Sequence, residues 1–323
     1  MSLGELSTIL VWGATTAYAV ALVAFATDLA RLADHAAASA RQRGAELAST
    51  AGGSTAVLER TDAAVAPERR RAVGIAMSTA TLGLLLHVVG TVLRGLAAGR
   101  VPWANMYEFT LVGTLVAVAT FLALCRWRDL RFLGTIVLGL SVLALGLALA
   151  AFYVPADAVE PALQSYWLVI HVSIATIATG LFTVSFALSS LQLLKDSWEQ
   201  ASPRLHHPRW QVLGSLPSTR DLEAISFRIN AVGFVLWTFT VMAGAIWAEH
   251  AWGRYWGWDP KEVWSFVVWV VYAAYLHART TRGWSGRRAA WFVLVGYATV
   301  LFNFTGVNLL LNGKHSYDGI PEG

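Results

Sequence analysis

The sequence predicts an all-α protein, a polytopic membrane helix bundle with about eight transmembrane helices in one integral domain, 1–323. Its composition is the first reason, because 56% of the 323 residues are hydrophobic and 14% are charged, whereas soluble domains carry about 25% charged residues. The second reason is the length of the apolar runs, since a helix needs roughly 20 apolar residues to cross a membrane core of about 30 Å. The predicted spans are 5–29, 73–97, 106–126, 131–153, 166–193, 225–248, 262–279 and 289–311.

Positive charge predicts how these helices are oriented, because Lys and Arg near helix ends are retained on the cytoplasmic side. Of the 24 Lys and Arg residues, 19 fall in one set of loops, which includes a linker at 31–72 and a loop at 195–224. We therefore expect both termini to be external. The same asymmetry accounts for the formal charge of +4, so this charge gives no indication of nucleic-acid binding. The five basic residues on the other side are Arg94, Arg100, Arg254, Lys261 and Lys314.

The external segment 249–262, called here the Trp-rich segment, is the most distinctive part of the sequence. Aromatic residues at a membrane surface usually form an anchoring belt, but a belt needs only one or two rings at each helix end. The density here favours a surface for a flat apolar ligand, and Gly253 and Gly257 allow the backbone to approach it. Six aromatic residues fall within 18 positions: Trp247, Trp252, Tyr255, Trp256, Trp258 and Trp264.

Two acidic residues of this segment have a local structural explanation. Asp259 is a good N-cap, Pro260 suits the first helical position, and Glu262 stands where a capping box places its acid. The sequence therefore predicts that the seventh span begins firmly beside the aromatic residues. Asn105 and Glu108 predict a second capping box at the start of the third span.

Predicted topology divides the histidines into groups. His171, one turn inside the external end of the fifth span, and His315, after the eighth span, both reach the external side. Together they are suited to bis-histidine ligation of haem iron, and His250 is the rival ligand. His277 belongs to the inner half of the membrane, and we interpret the mid-span His87 as a packing residue.

Basic residues near the Trp-rich segment are candidates to pair with haem carboxylates, although contact with lipid phosphate explains them equally well. These residues are Arg100, Arg254, Lys261 and Lys314. Cys125 is the single cysteine, so the chain has no internal disulfide and no Cys-x-x-Cys pair. Without a Cys-x-x-Cys-His motif, the chain is not itself a c-type cytochrome.

These motifs resemble a known family. The pattern Trp252-Gly-x-Tyr-Trp-x-Trp-Asp-Pro-Lys-Glu-x-Trp264 resembles the WWD signature of the haem-handling superfamily used in cytochrome c maturation. The order of His171, the Trp-rich segment, His277 and His315 resembles its CcsA (ResC) branch, which belongs to system II.

The resemblance implies that the chain binds haem b non-covalently, exports it across the bacterial plasma membrane and presents it to apocytochrome c. It implies a cytochrome c synthase (lyase-type) activity in complex with a CcsB (ResB)-like membrane protein, and a thioredoxin-like thiol reductant is a further possible partner. His171 and His315 match the external axial pair, and His277 matches a transmembrane ligand whose partner histidine comes from the other chain. The haem would be positioned without acid–base catalysis by Trp252, Trp256, Trp258 and Asp259, with Tyr255, Trp264, Arg254, Lys261 and Arg100 as further contacts.

Three other functions fit parts of the pattern. A system I haem chaperone or lyase subunit of the CcmC or CcmF type has the same WWD signature. A membrane b-type electron carrier would need stacked histidines within one chain, for which His87 and His277 are available. A transporter with an aromatic gate would need polar residues meeting near the midplane, and the eighth span offers Asn303, Thr305, Asn308 and Asn312.

Overall fold

The computed structural model describes residues 1–51, 66–156, 165–200, 208–311 and 313–314, and within these residues the fold is all-helical, as predicted. Short 3-10 helices at Arg131–Leu133 and Pro208–Ser215 precede the fourth and sixth long helices. A π-helical turn, Phe302–Gly306, joins the eighth long helix to the short α9 (Val307–Leu310). The long helices are α1 (Leu3–Ala51), α2 (Ala66–Ala98), α3 (Met106–Trp127), α4 (Gly134–Ala151), α5 (Tyr166–Glu199), α6 (Thr219–Trp252), α7 (Pro260–Thr281) and α8 (Arg287–Leu301).

The prediction of eight long helices is confirmed, and seven stretches of the described residues are long and apolar enough to cross a membrane. The exception is α7, which has 22 residues but a lower hydropathy, because its Trp, Tyr and His side chains each carry a polar group. The seven stretches are Leu3–His35, Arg71–Ala98, Met106–Trp127, Arg131–Ala151, Tyr166–Glu199, Thr219–Trp252 and Arg287–Leu310.

Consecutive helices alternate in direction, which gives the bundle two distinct ends. At the end that carries the Trp-rich segment, Arg94 of α2 donates to the main-chain oxygen of Val154 after α4, at 2.8 Å. At the opposite end, called here the basic end, Arg287 at the start of α8 pairs with Asp196 near the end of α5, at 2.9 Å. Contacts of arginine side chains therefore join helices at both ends of the bundle.

Three apolar groups of side chains lie among the described helices, and α5 belongs to all three. The first lies among α1, α3, α4 and the second half of α5, and includes Tyr18, Phe121 and Leu188. The second lies among α5, α6, α7 and α8, where the rings of Phe182 and Tyr272 stack with centroids 3.9 Å apart. The third, near the Trp-rich segment, includes Val172 and Trp247. Since α5 packs on both sides, any residue on it has a fixed position relative to most of the bundle.

A buried carboxylate joins α2 to the start of α3. Glu108 accepts from Arg94 Nε at 2.8 Å and from Arg100 Nη1 at 2.6 Å. Asn105 caps α3 as predicted, because its Oδ1 accepts the Glu108 N–H at 2.9 Å. The other half of the predicted capping box is wrong, since the Glu108 carboxylate accepts the N–H of Ala104 and the two guanidinium groups. Two arginines outcompete a single backbone N–H for a carboxylate that is 0% exposed.

Replacing Glu108 by Gln keeps the shape of the side chain but removes the charge that Arg94 and Arg100 share. Removing one partner of a buried pair costs about 3–5 kcal/mol, because the other charge stays buried. We expect a clearly lower unfolding temperature for the purified protein in detergent. The matched control is Asp129→Asn in the exposed Asp129–Arg131 pair, where the loss is about 0–1 kcal/mol. Equal unfolding temperatures for the two variants would contradict the role given to Glu108.

Candidate functional site

His171 lies in the second turn of α5 and faces α6. Its Nδ1 is 2.9 Å from the main-chain oxygen of Thr240. A carbonyl oxygen only accepts hydrogen bonds, so Nδ1 carries the ring proton and Nε2 carries the lone pair. Histidines that bind metals commonly donate their other ring N–H to such a carbonyl, which fixes the ring orientation. The main chain of α6 therefore holds His171 in the tautomer that a metal ligand needs.

Two further residues of α6 complete the surroundings of this ring. The indole of Trp247 lies nearly parallel to the imidazole, with an interplanar angle of 13° and centroids 6.1 Å apart. Gly244 lies directly against the ring, because a Cβ at this position would be 2.7 Å from His171 Cε1. Positions 240, 244 and 247 share one helix face, since side chains three and four residues apart are neighbours. One face of α6 thus forms the seat of His171.

A cavity of about 280 Å³ opens beside His171, among helices α3 to α8. Along α5 its lining runs from Leu168 to Thr183, a length of about 22 Å at a rise of 1.5 Å per residue. Tyr255 and Trp256 of the Trp-rich segment line its end, and Trp247 lines its side. The cavity therefore reaches from the Trp-rich segment deep into the bundle, with aromatic walls near the imidazole.

The aromatic residues of the Trp-rich segment do not form one flat surface. Trp252 packs edge-on against Trp247, with ring centroids 4.9 Å apart. Trp258 is 77% exposed and stands at 85° to Trp256. Trp264 packs on Phe302 at the π-helical turn, with centroids 4.3 Å apart. Of the rings predicted to contact a ligand, those of Tyr255 and Trp256 line the cavity, whereas those of Trp252, Trp258 and Trp264 lie outside its lining.

The predicted capping box at the start of α7 is confirmed. Asp259 Oδ1 accepts the N–H of Lys261 at 3.0 Å, and Glu262 Oε2 accepts the N–H of Asp259 at 3.1 Å and that of Gly257 at 2.8 Å. Among the described residues, Trp258 is the only non-glycine residue with a positive φ, at 59°. This conformation is costly for a bulky residue and is typical of functional sites. The bonds from Gly257 and Asp259, on either side, hold the strained turn in place.

The basic residues predicted near the ligand have three different environments. Lys261 lines the cavity, and its Nζ donates to Asn303 O at 2.6 Å and to Asn308 Oδ1 at 3.1 Å. Arg254 is exposed at the surface of the Trp-rich segment. Arg100 is bound to the buried carboxylate of Glu108. Of the three, Lys261 is the cation that the structure brings to the cavity.

Three more of the described histidines, His87, His250 and His277, lie away from the cavity. His250 is exposed, pairs with Glu249 at 3.2 Å and bonds its own helix. His277 is exposed on α7, while Arg279, on another face of the helix, points inward to Glu223 at 2.9 Å. His87 is buried and contacts the hydroxyl of Tyr18 at 3.3 Å. No contact joins His87 to His277 among the described residues, so the structure does not bring together the pair that an electron carrier would need.

His315 lies outside the described residues, but the residue before it is placed. The N–H of Lys314 donates to Asp259 Oδ2 at 2.6 Å. The Lys314 ammonium lies over the ring of Trp252, 5.6 Å from its centroid. The chain that leads into His315 therefore meets the Trp-rich segment. Asn312, predicted as part of a polar set with Asn303 and Asn308, is also outside the described residues.

Comparison with known proteins identifies the family. Residues 103–315 match the model of the family described as cytochrome C assembly protein. The chain belongs to this family. Similar relatives are the cytochrome c biogenesis proteins CcsA of Chlamydomonas reinhardtii, 34% identical over 72% of this chain and 65% of that protein, and of Synechococcus elongatus, 36% identical over 76% of this chain and 86% of that protein.

A solved structure shares the fold of this cytochrome c assembly protein. It is the cytochrome c heme lyase CcmF, with a TM-score of 0.62 and 16% identity. The match covers 94% of this chain and 47% of that chain. The CcsA resemblance inferred from the motifs is confirmed, and the chain is a multi-pass membrane protein.

For several residues that shape the site of this cytochrome c assembly protein, the sequence did not predict the position that the structure shows. Thr240 acts through its main-chain oxygen, which leaves no trace in the sequence. Gly244 and Trp247 gave a weak signal, since their spacing from position 240 places all three on one helix face. Asn303 is 5% exposed and its Oδ1 has no partner among the described residues, yet it lines the cavity. Its position depends on the π-helical turn, which periodicity did not predict.

Replacing Gly244 by Ala tests the seat of His171. In most helices this change stabilises by roughly 0.5–1 kcal/mol, but here the new Cβ would meet the His171 ring, and such overpacking costs about 1–3 kcal/mol. We expect a lower unfolding temperature for Gly244→Ala. The matched control is Gly146→Ala in α4, where a Cβ meets nothing within 4 Å, and this variant should unfold at the wild-type temperature or above it.

A double variant separates this clash from other effects of the added methyl group. In a His171→Gly background the imidazole is gone, so Gly244→Ala should lose its penalty, and the two changes should not be additive. The same penalty with and without the imidazole would contradict the packing described here.

Proposed function

We propose that this cytochrome c assembly protein binds haem b non-covalently and presents it for attachment to the Cys-x-x-Cys-His segment of apocytochrome c. The observation that carries the proposal is the seat of His171, where an imidazole with its Nδ1 on a carbonyl borders a cavity walled by Trp247 and Trp256. A nitrogen ligand beside an aromatic, mostly apolar cavity suits an iron porphyrin. The family membership and the CcsA relatives support the same function.

The residues around the cavity fit both parts of a haem. Its apolar ring would contact Tyr255 and Trp256, which line the cavity. Trp258 packs against Trp256, and Trp252 packs against Trp247 in the cavity wall. Trp264 packs on Phe302 at the π-helical turn. Its carboxylates need cations, and Lys261 offers an ammonium group in the cavity wall. Arg254 is available at the surface for a second carboxylate. Arg100 is assigned an indirect role, because its guanidinium is bound to Glu108.

His171 and His315 are proposed as the two axial ligands of the iron at this site. His171 is oriented by Thr240, and His315 follows directly after Lys314, which is bound to Asp259. Two neutral imidazoles give a six-coordinate iron and also set its reduction potential. His250 is not assigned, because it is exposed and engaged by Glu249 outside the cavity.

In the attachment reaction, the chain is proposed to hold and orient the reactants. When bound, haem supplies two vinyl groups, and a cysteine thiol of the apocytochrome adds across each of them to give a thioether. Orientation alone can lower such a barrier by about 7–11 kcal/mol. No acid–base step is assigned to this chain, because addition of a positioned thiol to a vinyl group depends on orientation. The Glu262 carboxylate that lines the cavity caps α7, where its Oε2 accepts the N–H groups of Gly257 and Asp259.

A second haem contact is proposed at His277. This residue is exposed on α7. A histidine of a neighbouring chain would therefore have access to a second haem iron bound by His277. A ResB-like membrane protein is the proposed source of that histidine, and the two chains together would form the cytochrome c synthase. A thioredoxin-like protein that keeps the apocytochrome thiols reduced is a further proposed partner.

The orientation in the membrane is part of the proposal. The Trp-rich end and both termini would face the outside of the bacterial plasma membrane, with the basic end in the cytoplasm, because basic loops stay inside. Residues 1–323 would form one integral membrane domain. Haem entering near His277 would then be relayed to the external site.

Haem spectra of the protein purified with a ResB-like partner test the ligand assignment. We expect His171→Gly and His315→Gly each to lower haem content, to convert bound haem from a low-spin to a high-spin spectrum and to abolish cytochrome c assembly. His277→Gly should remove haem that depends on the partner. His250→Gly is the matched control, since this exposed histidine lies outside the cavity, and it should keep the wild-type spectrum. Normal haem content and normal assembly in both His171→Gly and His315→Gly would refute the proposal.

Labelling of single cysteines in intact cells tests the orientation. In a Cys125→Ser background, Tyr255→Cys at the Trp-rich end and Trp127→Cys at the basic end both replace exposed residues, 62% and 78% accessible. We expect a membrane-impermeant maleimide to label position 255 and not position 127 until the cells are lysed. The reverse pattern would place the site in the cytoplasm and exclude haem delivery to the outside.

A further inference from the structure

The chain that leads to His315 is fastened to the Trp-rich segment by three contacts. The N–H of Lys314 donates to Asp259 Oδ2 at 2.6 Å. Gly313 lies so close that a Cβ would be 2.6 Å from the same oxygen. The ammonium of Lys314 lies 5.6 Å from the centre of the Trp252 ring, a favourable cation–π distance. We call these contacts between 313–314 and the Trp-rich segment the clasp.

Asp259 divides its two oxygens between two tasks. Oδ1 accepts the N–H of Lys261 and caps α7, while Oδ2 accepts the N–H of Lys314. The residue is 6% exposed, and its own N–H donates to Glu262. The positive end of the α7 dipole also favours a carboxylate at this position. The acceptor that meets Lys314 therefore has little freedom to move.

Gly313 allows the close approach on which the clasp depends. Besides the Asp259 oxygen, an added Cβ would meet Pro260 Cδ at 3.0 Å. Neither neighbour can easily move away, because Pro260 is locked into the first turn of α7 and Asp259 is its cap. Any larger residue at position 313 would therefore push the C-terminal chain away from the Trp-rich segment.

We propose that Asp259 is a positioning residue for His315, acting through the main chain of Lys314. The inference rests on the proposed function, in which His315 is an axial ligand of haem iron. Consecutive Cα atoms are 3.8 Å apart, so fixing Lys314 fixes the point from which His315 reaches the iron. Residues outside the ligand shell that orient a ligand typically change metal affinity about 10–100-fold when replaced.

The clasp also links the two parts of the haem site. The carboxylate that holds the chain before His315 starts the helix that carries Lys261 and Glu262, both of which line the cavity. The positions of His315, the proposed iron ligand, and of Lys261, the proposed contact of a haem carboxylate, thus both depend on Asp259. A shift of the C-terminal chain would change the iron ligation without any change in the residues of the cavity wall.

Two variants break the clasp in different ways. Gly313→Ala forces the chain away from Asp259 and leaves the carboxylate intact. Asp259→Asn keeps a good N-cap oxygen for α7 but turns an amide NH₂ toward the Lys314 N–H, so two donors face each other. Gly146→Ala in α4 is the matched control, because a Cβ there meets nothing within 4 Å and the residue belongs neither to the clasp nor to the cavity wall.

The measurement is haem b titration and ferric absorption spectra of the full-length protein, purified with its ResB-like partner. We expect Gly313→Ala and Asp259→Asn each to weaken haem binding about 10–100-fold and to give the high-spin spectrum of His315→Gly. Gly146→Ala should keep the low-spin spectrum. In a His315→Gly background, Gly313→Ala should cause no further loss, since the ligand that it displaces is already absent.

The outcomes separate the two proposals. Should His315→Gly change the spectrum while Gly313→Ala and Asp259→Asn do not, the clasp is wrong and the ligand assignment stands. Should His315→Gly itself leave the low-spin spectrum unchanged, the ligand assignment fails and the inference fails with it. Additive losses in the Gly313→Ala, His315→Gly double variant would show that Gly313 serves only general stability, which also overturns the inference.

Discussion

Every polar group inside a membrane bundle needs a partner from the protein, because lipid offers none, and this requirement determines how the helices of this chain are joined. Hydroxyl groups meet it locally, as when Thr110 and Thr114 donate to carbonyls of their own helix. Longer polar side chains meet it across the bundle. Glu108 joins α2 to α3, and Lys261 joins α7 to the π-helical turn. The same requirement places His171 on the carbonyl of Thr240, which also prepares its second nitrogen for a metal.

The helices, the caps and the family followed from the sequence because each depends on neighbouring residues. Runs of apolar residues determined the spans, and Asp259, Pro260 and Glu262 specify the start of α7 within four positions. Partners distant in sequence could not be predicted in this way. Arg100 was expected near a ligand, but it is paired with Glu108. A single sequence does not show whether an arginine pairs with a carboxylate of the protein or with a bound anion.

The arrangement of the aromatic residues was also beyond prediction. Their density predicts a ligand surface, but ring angles depend on backbone dihedrals such as the positive φ of Trp258. The carbonyl that orients His171 belongs to a helix that begins almost fifty residues later in the chain. Local pattern thus identified the candidate residues, and tertiary packing determined which of them line the cavity.

The π-helical turn at Phe302–Gly306 has a consequence for the evolution of the site. A π turn contains one residue more than an α-helical turn, so everything after it is rotated by about 100° relative to the continuation of α8. This rotation directs Asn308 of α9 toward Lys261, and it sets the direction in which the chain departs toward Gly313. A single inserted or deleted codon in this turn would rotate the chain that follows it while leaving the eight long helices undisturbed. A change of one residue in length would therefore move Asn308 away from Lys261 without any substitution in the cavity wall.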